Sequence, residues 1–215
     1  MLITYSGHAE FLLESGDGTR ILTDPYDPSV GYPIRQTKAD ATTLSHGHAD
    51  HSYISKVVPQ GMVYEGCAPF RLTPHVSGRG YASFHDEVQG KKRGENTIFV
   101  LEIDSLKVAH LGDLGHSLTD ELKNALQNTD ILLIPVGGFY TIDGVQAAQI
   151  VRELRPKIAI PMHYKTKVNA GWPISDETPF LQEMRAQNAP RLPVMRVTRE
   201  DIECFPPVVV MEHSV

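Results

Sequence analysis

The order of short β-rich runs and helical patterns constrains the fold of this 215-residue chain more than any other feature. Runs rich in β-formers occur at residues 11–14, 21–22, 41–44, 81–84, 97–103, 106–110, 131–134, 157–160, 194–197 and 208–211. The first two flank Gly16-Asp17-Gly18, which is typical of a β-hairpin turn. Strands dominate the first half and alternate with helices in the second. This order favours sheets covered by helices over a β-barrel or a helical bundle.

Apolar residues at helical spacing predict three helices in the second half of the chain. The clearest covers residues 143–154, where four apolar residues recur on one face: Val145, Ala148, Val151 and Leu154. Thr141 is its candidate N-cap, and Pro156 ends it. The second helix begins after Ser117 and the third after Ser175. All three patterns lie between predicted strands.

Composition sets limits on the class of protein. A length of 215 residues with 41% hydrophobic side chains suits one compact domain over residues 1–215. The net charge of −6, with no long run of one sign, argues against a nucleic acid held mainly by electrostatics. The longest strongly apolar run, residues 131–136, is too short to span a membrane, and the first residues lack a signal-peptide pattern, so we expect a cytoplasmic protein. Cys67 and Cys204 are isolated and predict no disulfide framework.

Four side chains that can bind metal follow the predicted strand at residues 41–44 within six positions: His46, His48, Asp50 and His51. In an extended segment, residues two apart point to the same side. His46 and His48 can therefore bind one ion, while Asp50 and His51 turn toward a neighbouring one. The alternative is a solvated polar loop, which tolerates His and Asp and needs no metal.

Other metal-binding residue types follow other predicted strands, namely His85, Asp113 and His163. Loops at strand ends can converge on one face of the fold. Imidazole ligands favour zinc, manganese or iron over calcium and magnesium, and a shared carboxylate can hold two cations about 3.5–4 Å apart. These residue types are compatible with two adjacent transition-metal sites.

These motifs resemble the metallo-β-lactamase superfamily. The resemblance rests on His-x-His-x-Asp-His at residues 46–51, a later His, Gly112-Asp113, a His after a strand, and the acidic Thr-Asp-Pro motif at residues 23–25. Residues 6–9 (Ser-Gly-His-Ala), 110–116 and 161–164 (Pro-Met-His-Tyr) are most similar to small bacterial metal-dependent hydrolases of that superfamily. That group is related to ascorbate-6-phosphate lactonase and to N-acyl phosphatidylethanolamine phospholipase D.

The resemblance implies an α+β fold, a four-layered αβ/βα sandwich, around a dinuclear metal centre. It implies His46, His48 and His85 on one metal, Asp50, His51 and His163 on the second, and Asp113 as the bridge. Asp50 is also implied to be catalytic, because it orients a hydroxide on the metal pair. The two divalent ions are expected to be zinc, with manganese and iron as alternatives.

Some assignments stay open at this point. His75 and His110 compete with His85 for the third position on the first metal. Asp24 is expected to accept a proton from a ligand imidazole and fix its tautomer, or else to be a turn residue. His116 is a candidate general acid because of its position after the Gly-Asp motif, or a solvated residue at a helix start.

Further residues beside the motifs are candidates for substrate contacts. His8, Tyr140 and Tyr164 each also have an ordinary structural interpretation. The basic residues 91–93 can meet an anionic substrate or be solvated, and Trp172 is either a rim residue of the pocket or a packing aromatic.

The expected function is hydrolysis of an ester, lactone or phosphoester of a small molecule. The alternatives are a phosphodiesterase or nuclease of the same superfamily and a non-catalytic metal-binding regulatory protein. The acidic balance of charge argues against the nuclease. The expected partner is a small-molecule substrate, with no nucleic acid and no membrane span, and a homo-oligomer is an open option.

Overall fold

The structure, a computed structural model, describes residues 1–213. Its strands are β1 (Leu2–Gly7), β2 (Glu10–Glu14), β3 (Arg20–Thr23), β4 (Ala41–Leu44), β5 (Met62–Glu65), β6 (Pro69–Thr73), β7 (Val76–Phe84), β8 (Glu95–Ile103), β9 (Leu106–His110), β10 (Ile131–Pro135), β11 (Ile158–Met162), β12 (Arg191–Leu192), β13 (Val194–Arg196) and β14 (Val210–Met211). Its α-helices are α1 (Asp120–Leu126), α2 (Gly144–Leu154) and α3 (Thr178–Glu183). Short 3-10 helices cover Pro28–Val30, Ile54–Lys56 and Ile202–Cys204.

The first sheet has the strand order β13-β1-β2-β3-β4-β5. β2 and β3 form the predicted antiparallel hairpin, in which Glu14 lies opposite Arg20. Gly18 adopts a φ of 87° in the turn, a backbone conformation that favours glycine. β4 runs parallel to both β3 and β5, so that the end of β4 lies beside the end of β3.

The second sheet has the strand order β11-β10-β9-β8-β7-β6. The strands from β6 to β9 are antiparallel, whereas β9, β10 and β11 are parallel. Every residue of β10 and β11 is buried, as is usual for parallel strands covered on both faces.

The main core lies between the two sheets. Ile3 and Phe11 of the first sheet belong to the same buried cluster as Leu101 and Leu133 of the second. The rings of Tyr5 and Phe11 stack with their centroids 4.7 Å apart. Burial of each such side chain contributes about 1.5–3 kcal/mol, so this core accounts for much of the stability of the sandwich.

A second core covers the outer face of the second sheet. Ile98 and Val100 of β8 point into it, together with residues of all three α-helices. The helix predicted at residues 143–154 is α2, but its N-cap is Asp143 and not Thr141. Asp143 accepts a hydrogen bond from the backbone N–H of Gln146, whose side chain bonds back to the Asp143 N–H. This reciprocal capping satisfies two N–H groups at the helix start.

Loops and two 3-10 helices cover the outer face of the first sheet. Lys56 is buried there, 2.7 Å from the Glu10 carboxylate and 3.9 Å from the ring centroid of Tyr26. The layers are therefore α-helices, sheet, sheet, and a layer of loops with 3-10 helices. The α+β sandwich expected from the sequence is confirmed.

The sequence pattern does not predict four of the strands, namely β1, β5, β6 and the two-residue β12, and β7 begins earlier than expected. β5 and β6 are edge strands whose side chains are exposed or half-buried, so they lack the alternating apolar pattern of a core strand. β1 does alternate, with Ile3 and Tyr5 buried, but its short pattern ends in Ser6-Gly7. Among residues 1–213, the structure contains no helix long and apolar enough to cross a membrane.

Candidate metal centre

The predicted metal ligands lie at the ends of strands from both sheets. Residues 46–51 follow β4, and single candidates follow β7, β9 and β11: His85, Asp113 and His163. His8 lies in the turn between β1 and β2. Because these ends meet at the same edge of the sandwich, the side chains converge although they are distant in sequence.

One group consists of His46, His48 and His85. Their ring centroids are 4.6, 4.9 and 5.3 Å apart in pairs, and each ring offers a nitrogen within 4.8 Å of the others. His48 is exposed and His85 is buried, so the group lies between solvent and the core. Three imidazoles at this spacing suit one transition-metal ion.

Asp113 lies between this group and the next. Its Oδ2 atom is 3.1 Å from His85 Nε2, 3.3 Å from His51 Nε2 and 3.3 Å from His163 Nε2. Its backbone N–H donates to the Asn96 side chain at 2.9 Å, which fixes the loop after β9. A carboxylate in contact with histidines of both groups has the position that a bridging ligand needs.

The second group consists of His8, Asp50, His51 and His163, which offer ligand atoms within 4.8 Å of one another. The Oδ2 atom of Asp50 is 3.1 Å from His8 Nε2 and 3.7 Å from His51 Nε2. The ring centroids of His8 and His163 are 4.2 Å apart. All members except Asp50 are buried.

Buried ligand atoms without a hydrogen-bond partner show that these residues suit metal ions. Among the described residues, such atoms are His46 Nε2, His51 Nε2, His85 Nδ1, His163 Nδ1, His8 Nδ1 and Asp113 Oδ1. Each buried polar atom without a partner lowers the stability of the fold by about 1–3 kcal/mol. Metal binding removes this cost for each atom that becomes a ligand. Nitrogen and carboxylate donors together favour zinc, manganese or iron.

Asp24 is in contact with one of the candidate ligands. Its Oδ2 atom accepts hydrogen bonds from His51 Nδ1 at 2.9 Å and from the Ser45 hydroxyl at 2.5 Å. This carboxylate therefore leaves His51 Nε2 free to face Asp113 and Asp50. The contact has the geometry of a carboxylate that fixes the tautomer of a metal-binding imidazole.

Burial and mutual contacts determine the protonation of the centre. Burial lowers the pKa of His8 to about 4 and that of His46 to about 3, so both rings are neutral at pH 7. Burial acts to raise the pKa of Asp50 and Asp113, but contacts with histidines outweigh it and hold both pKa values below the usual range. The pKa of His51 is raised, against the effect of burial, by its contacts with carboxylates, chiefly Asp113.

Several residues of the centre have backbone angles in the left-handed region, which is unfavourable for residues other than glycine. The φ angles are 58° at His8, 41° at Asp24 and 52° at His163, and Phe139, next to the cavity residue Tyr140, has a φ of 60°. Each such residue costs about 1–3 kcal/mol, and this kind of strain is typical of functional sites. At His8 the strained carbonyl accepts hydrogen bonds from the His163 N–H at 2.7 Å and the Tyr5 hydroxyl at 2.9 Å.

The structure separates His85 from its two competitors. The Nε2 atom of His110 donates to the Ala9 carbonyl at 2.8 Å, and its Nδ1 accepts from the Gly112 N–H. Both ring nitrogens of His110 are thus used within the chain. His75 is exposed in the turn between β6 and β7. Neither belongs to a group with His46 and His48 in the part of the chain that the structure describes.

His116 lies apart from the metal groups. Its Nε2 accepts a hydrogen bond from the Phe84 N–H at 3.1 Å, and its Nδ1 donates to the Ser117 carbonyl at 2.8 Å. Both ring nitrogens therefore hold backbone groups. This arrangement does not favour the proton-donor role expected from the sequence, which stays a prediction.

A cavity of about 490 Å³ lies over the candidate ligands. Asp50, His85, Asp113 and His163 line its inner part, and its mouth is lined by Lys92, Arg93, Tyr140 and Trp172 among others. Trp172 packs against the His8 ring with centroids 5.3 Å apart. The cavity gives a small molecule access to both groups of ligands.

In the sequence, His8, Tyr140 and Trp172 are only neighbours of the motifs, and His8 lies outside the ligand set that the resemblance implies. The signal available for His8 was its place in the Ser-Gly-His-Ala motif at residues 6–9, because the strand that precedes it, β1, was not predicted. For Tyr140 and Trp172 no pattern in the chain indicates that their loops meet over the centre.

Comparisons with known proteins agree with this geometry. Residues 2–163 match the beta-lactamase superfamily domain family. The chain is similar to a UPF0173 metal-dependent hydrolase from Carboxydothermus hydrogenoformans, with 31% identity over 81% of this chain and 87% of the relative. A second relative of that name, from Pelotomaculum thermopropionicum, is 29% identical over 83% of this chain and 89% of its own length. A solved structure of a metallo-beta-lactamase superfamily protein from Thermotoga maritima matches with a TM-score of 0.78 and 34% identity, over 98% of both chains.

Proposed function

Since the chain belongs to the metallo-β-lactamase superfamily, we propose that it is a metal-dependent hydrolase with two metal ions, one on each side of Asp113. The observation that carries this proposal is the convergence of two groups of ligand atoms on one buried carboxylate. The similar UPF0173 proteins, named as metal-dependent hydrolases, support the reaction class.

The proposed ligand sets follow the two groups, except that His8 supports Asp50 and is not itself a ligand. His46, His48 and His85 hold one ion, Asp50, His51 and His163 hold the other, and Asp113 contacts both. Zinc suits these donors best, with manganese or iron as alternatives. When bound, such ions lower the pKa of water toward about 7 and stabilise negative charge that develops on a carbonyl or phosphoryl oxygen.

The remaining residues orient this chemistry. Asp50 lies at the opening of the second group, where its carboxylate can accept a proton from the attacking water. His8 donates a hydrogen bond to Asp50 Oδ2 and so fixes that carboxylate. Asp24 fixes His51 in the same way. The half-buried Trp172 covers His8 and His163 and limits access of bulk water.

We propose a small molecule with an ester, lactone or phosphoester bond as the substrate, because the cavity of about 490 Å³ has the volume of a small-molecule site. A phosphodiesterase of small substrates uses the same ligands and remains the alternative within this class. A nuclease is disfavoured by the net charge of −6. A cytoplasmic location, one domain over residues 1–215 and a homo-oligomer stay predictions.

Elemental analysis and a substrate screen test this function together. After saturation with zinc and desalting, we expect two ions per chain. The loaded protein is then assayed against lactones, carboxyl esters, thioesters and phosphodiesters. One ion or none contradicts the dinuclear centre, and no turnover in any class contradicts the hydrolase.

Asp50→Asn tests the catalytic part of the proposal. The substitution removes the negative charge of a proposed metal ligand and the group that accepts the proton. We therefore expect turnover to fall by about 10²-fold or more, which exceeds the loss of activity usual for a residue that only supports a ligand. Asp50 lies in a half-exposed loop, so the melting temperature of the metal-free protein should change little. Unchanged turnover excludes Asp50 from the reaction, and equal losses of turnover and metal-free stability indicate a structural role.

A further inference from the structure

We infer that Arg93 binds a carboxylate or phosphate group of the substrate at the mouth of the cavity, so that the substrates are small anionic esters, lactones or phosphoesters. This inference rests on the proposed hydrolase function and adds the substrate class to it. It follows from how the loop that carries Arg93 is built and from the charges around it.

The loop at residues 86–93 begins directly after the candidate ligand His85 and is organised around one buried side chain, Asp86. The two carboxylate oxygens of Asp86 accept hydrogen bonds of 2.8–2.9 Å from the backbone N–H groups of Val88, Gly90, Lys92 and Arg93. Such a loop has few alternative conformations. Its basic residues are therefore held at a fixed position relative to the metal groups.

Arg93 is held at a second point by the opposite wall of the cavity. One of its Nη atoms donates to the Phe139 carbonyl at 2.8 Å, and its guanidinium carbon is 5.7 Å from the ring centroid of Tyr140. Phe139 has a φ of 60°, so its carbonyl direction depends on a strained backbone. The structure thus fixes an arginine across the mouth of the site at the cost of strain.

The charge of Arg93 has no carboxylate partner. Within residues 1–213, it forms no ion pair, whereas its neighbour Lys92 is paired with Glu87. The bond to Phe139 uses one of five N–H donors of the guanidinium. Arg93 is half-buried beside the Tyr140 ring, and its other donors remain available to a ligand in the cavity.

A guanidinium recognises planar carboxylates and phosphates through two parallel hydrogen bonds. The carboxylates that line the cavity, Asp50 and Asp113, are engaged by histidines and belong to the metal groups. Within this cavity, an anionic group placed at Arg93 therefore meets no carboxylate other than those of the metal groups. Tyr140 and Trp172 line the same cavity and offer apolar surface to the carbon skeleton of such a substrate.

Tryptophan fluorescence gives a binding measurement that does not depend on turnover, because Trp172 is the one tryptophan of the chain. Glutarate and inorganic phosphate are titrated separately into the zinc-loaded protein, and the stronger quenching identifies the preferred oxyanion. We expect Arg93→Gln to weaken binding about 10- to 100-fold, the range for a hydrogen bond to a charged group. The anion affinity of Arg93→Lys should lie between those of the wild type and Arg93→Gln, because lysine keeps the positive charge but lacks the paired N–H donors of the guanidinium.

Lys92→Gln is the matched control, since it removes one positive charge from the same loop at a residue already paired with Glu87. We expect its anion affinity to stay within about twofold of the wild type. An equal loss of anion affinity in Lys92→Gln and Arg93→Gln overturns the inference, because it means that the positive charge of the loop as a whole attracts the anion. Unchanged binding in Arg93→Gln overturns it as well.

Paired substrates connect binding to turnover. Mono-4-nitrophenyl glutarate and 4-nitrophenyl valerate have a similar acyl length and differ in the terminal carboxylate. We expect kcat/KM in the wild type to be higher for the glutarate ester than for the valerate ester. The ratio of the glutarate value to the valerate value should fall about 10- to 100-fold in Arg93→Gln. A ratio that Arg93→Gln does not change contradicts the inference while leaving the hydrolase function intact. If neither ester is turned over, the fluorescence titration alone decides whether Arg93 binds the anion, and the wider substrate screen decides the hydrolase function.

Discussion

At the scale of single residues, His8 shows how a side chain outside the recognised motif becomes part of the centre. It is fully buried, its backbone is strained at a φ of 58°, and its Nε2 is 3.1 Å from Asp50 Oδ2. The pKa of His8 is lowered by burial to about 4, so the neutral ring donates this hydrogen bond at pH 7. The position of the proposed catalytic carboxylate therefore depends on a residue 42 positions earlier in the chain.

Substitution of His8 distinguishes positioning from packing. His8→Gln keeps an N–H donor at a similar reach, whereas His8→Phe keeps the ring volume and removes the donor. We expect His8→Phe to lower kcat and the affinity for the second metal by about 10- to 100-fold, and His8→Gln to recover part of both. Kinetics and metal titration of the two variants measure this. Equal losses in both variants mean that the ring shape matters and the hydrogen bond does not.

His116→Ala tests a role that the sequence suggested and the hydrogen bonds do not favour. Because both ring nitrogens hold backbone groups at Phe84 and Ser117, we expect full metal content and a similar loss of rate on activated and unactivated esters. A general acid behaves differently. In that case the loss, about 10²- to 10⁴-fold, appears only with poor leaving groups. The ratio of rates on 4-nitrophenyl and ethyl esters decides between the two.

At the scale of elements, the sequence predicts those parts whose side chains meet water on one side and a core on the other. α2 was predicted within one residue because its apolar stripe packs on the second sheet. The hairpin of β2 and β3 was predicted because its turn chemistry is local. The edge strands β5 and β6 were missed because pairing with a neighbouring strand, and not burial, makes them strands.

The same distinction applies to the site. Each predicted ligand follows a strand, so the convergence of His46, His85, Asp113 and His163 could be expected from the order of the elements. The contact of Arg93 with Phe139 could not, because it joins two loops whose relative position depends on the packing of the whole sandwich. Local patterns therefore predict the metal ligands better than the residues that select a substrate.

The stability that the loop at residues 86–93 gives to the fold depends on pH. Burial acts to raise the pKa of Asp86, but four backbone N–H donors outweigh it and lower the pKa from 3.8 to about 2. Since the folded-state pKa is below the unfolded value, ionised Asp86 stabilises the fold above about pH 4, and this contribution is lost as the pH falls toward about 2. Asp86→Asn should therefore lower the melting temperature of the metal-free protein at pH 7. The difference in melting temperature between the wild type and the variant should become smaller as the pH falls from about 5 to about 3. A difference that is constant with pH indicates a steric effect.

At the scale of the whole molecule, the centre joins the two sheets. Residues 46–51 come from the first sheet, whereas His85, Asp113 and His163 come from the second, and each proposed metal has ligands from both. The backbone adds one more link, because the His163 N–H donates to the His8 carbonyl. Without bound ions, the buried ligand atoms that have no hydrogen-bond partner make this edge of the sandwich less stable. We therefore expect metal binding to be coupled to the packing of one sheet on the other.

Removal of metal should consequently destabilise the entire fold and not one loop. At free zinc about 1,000-fold above Kd, one site contributes about 4 kcal/mol to the folded state, which for a chain of this length raises Tm by roughly 8–16 °C. Calorimetry before and after chelation measures this shift, and hydrogen exchange should show lower protection in β4 and β11 together. His163→Ala is the control, since with one proposed ligand of the second metal removed, chelation should shift its Tm less than that of the wild type. If chelation leaves the wild-type Tm unchanged, or lowers protection at residues 46–51 alone, metal does not link the two sheets.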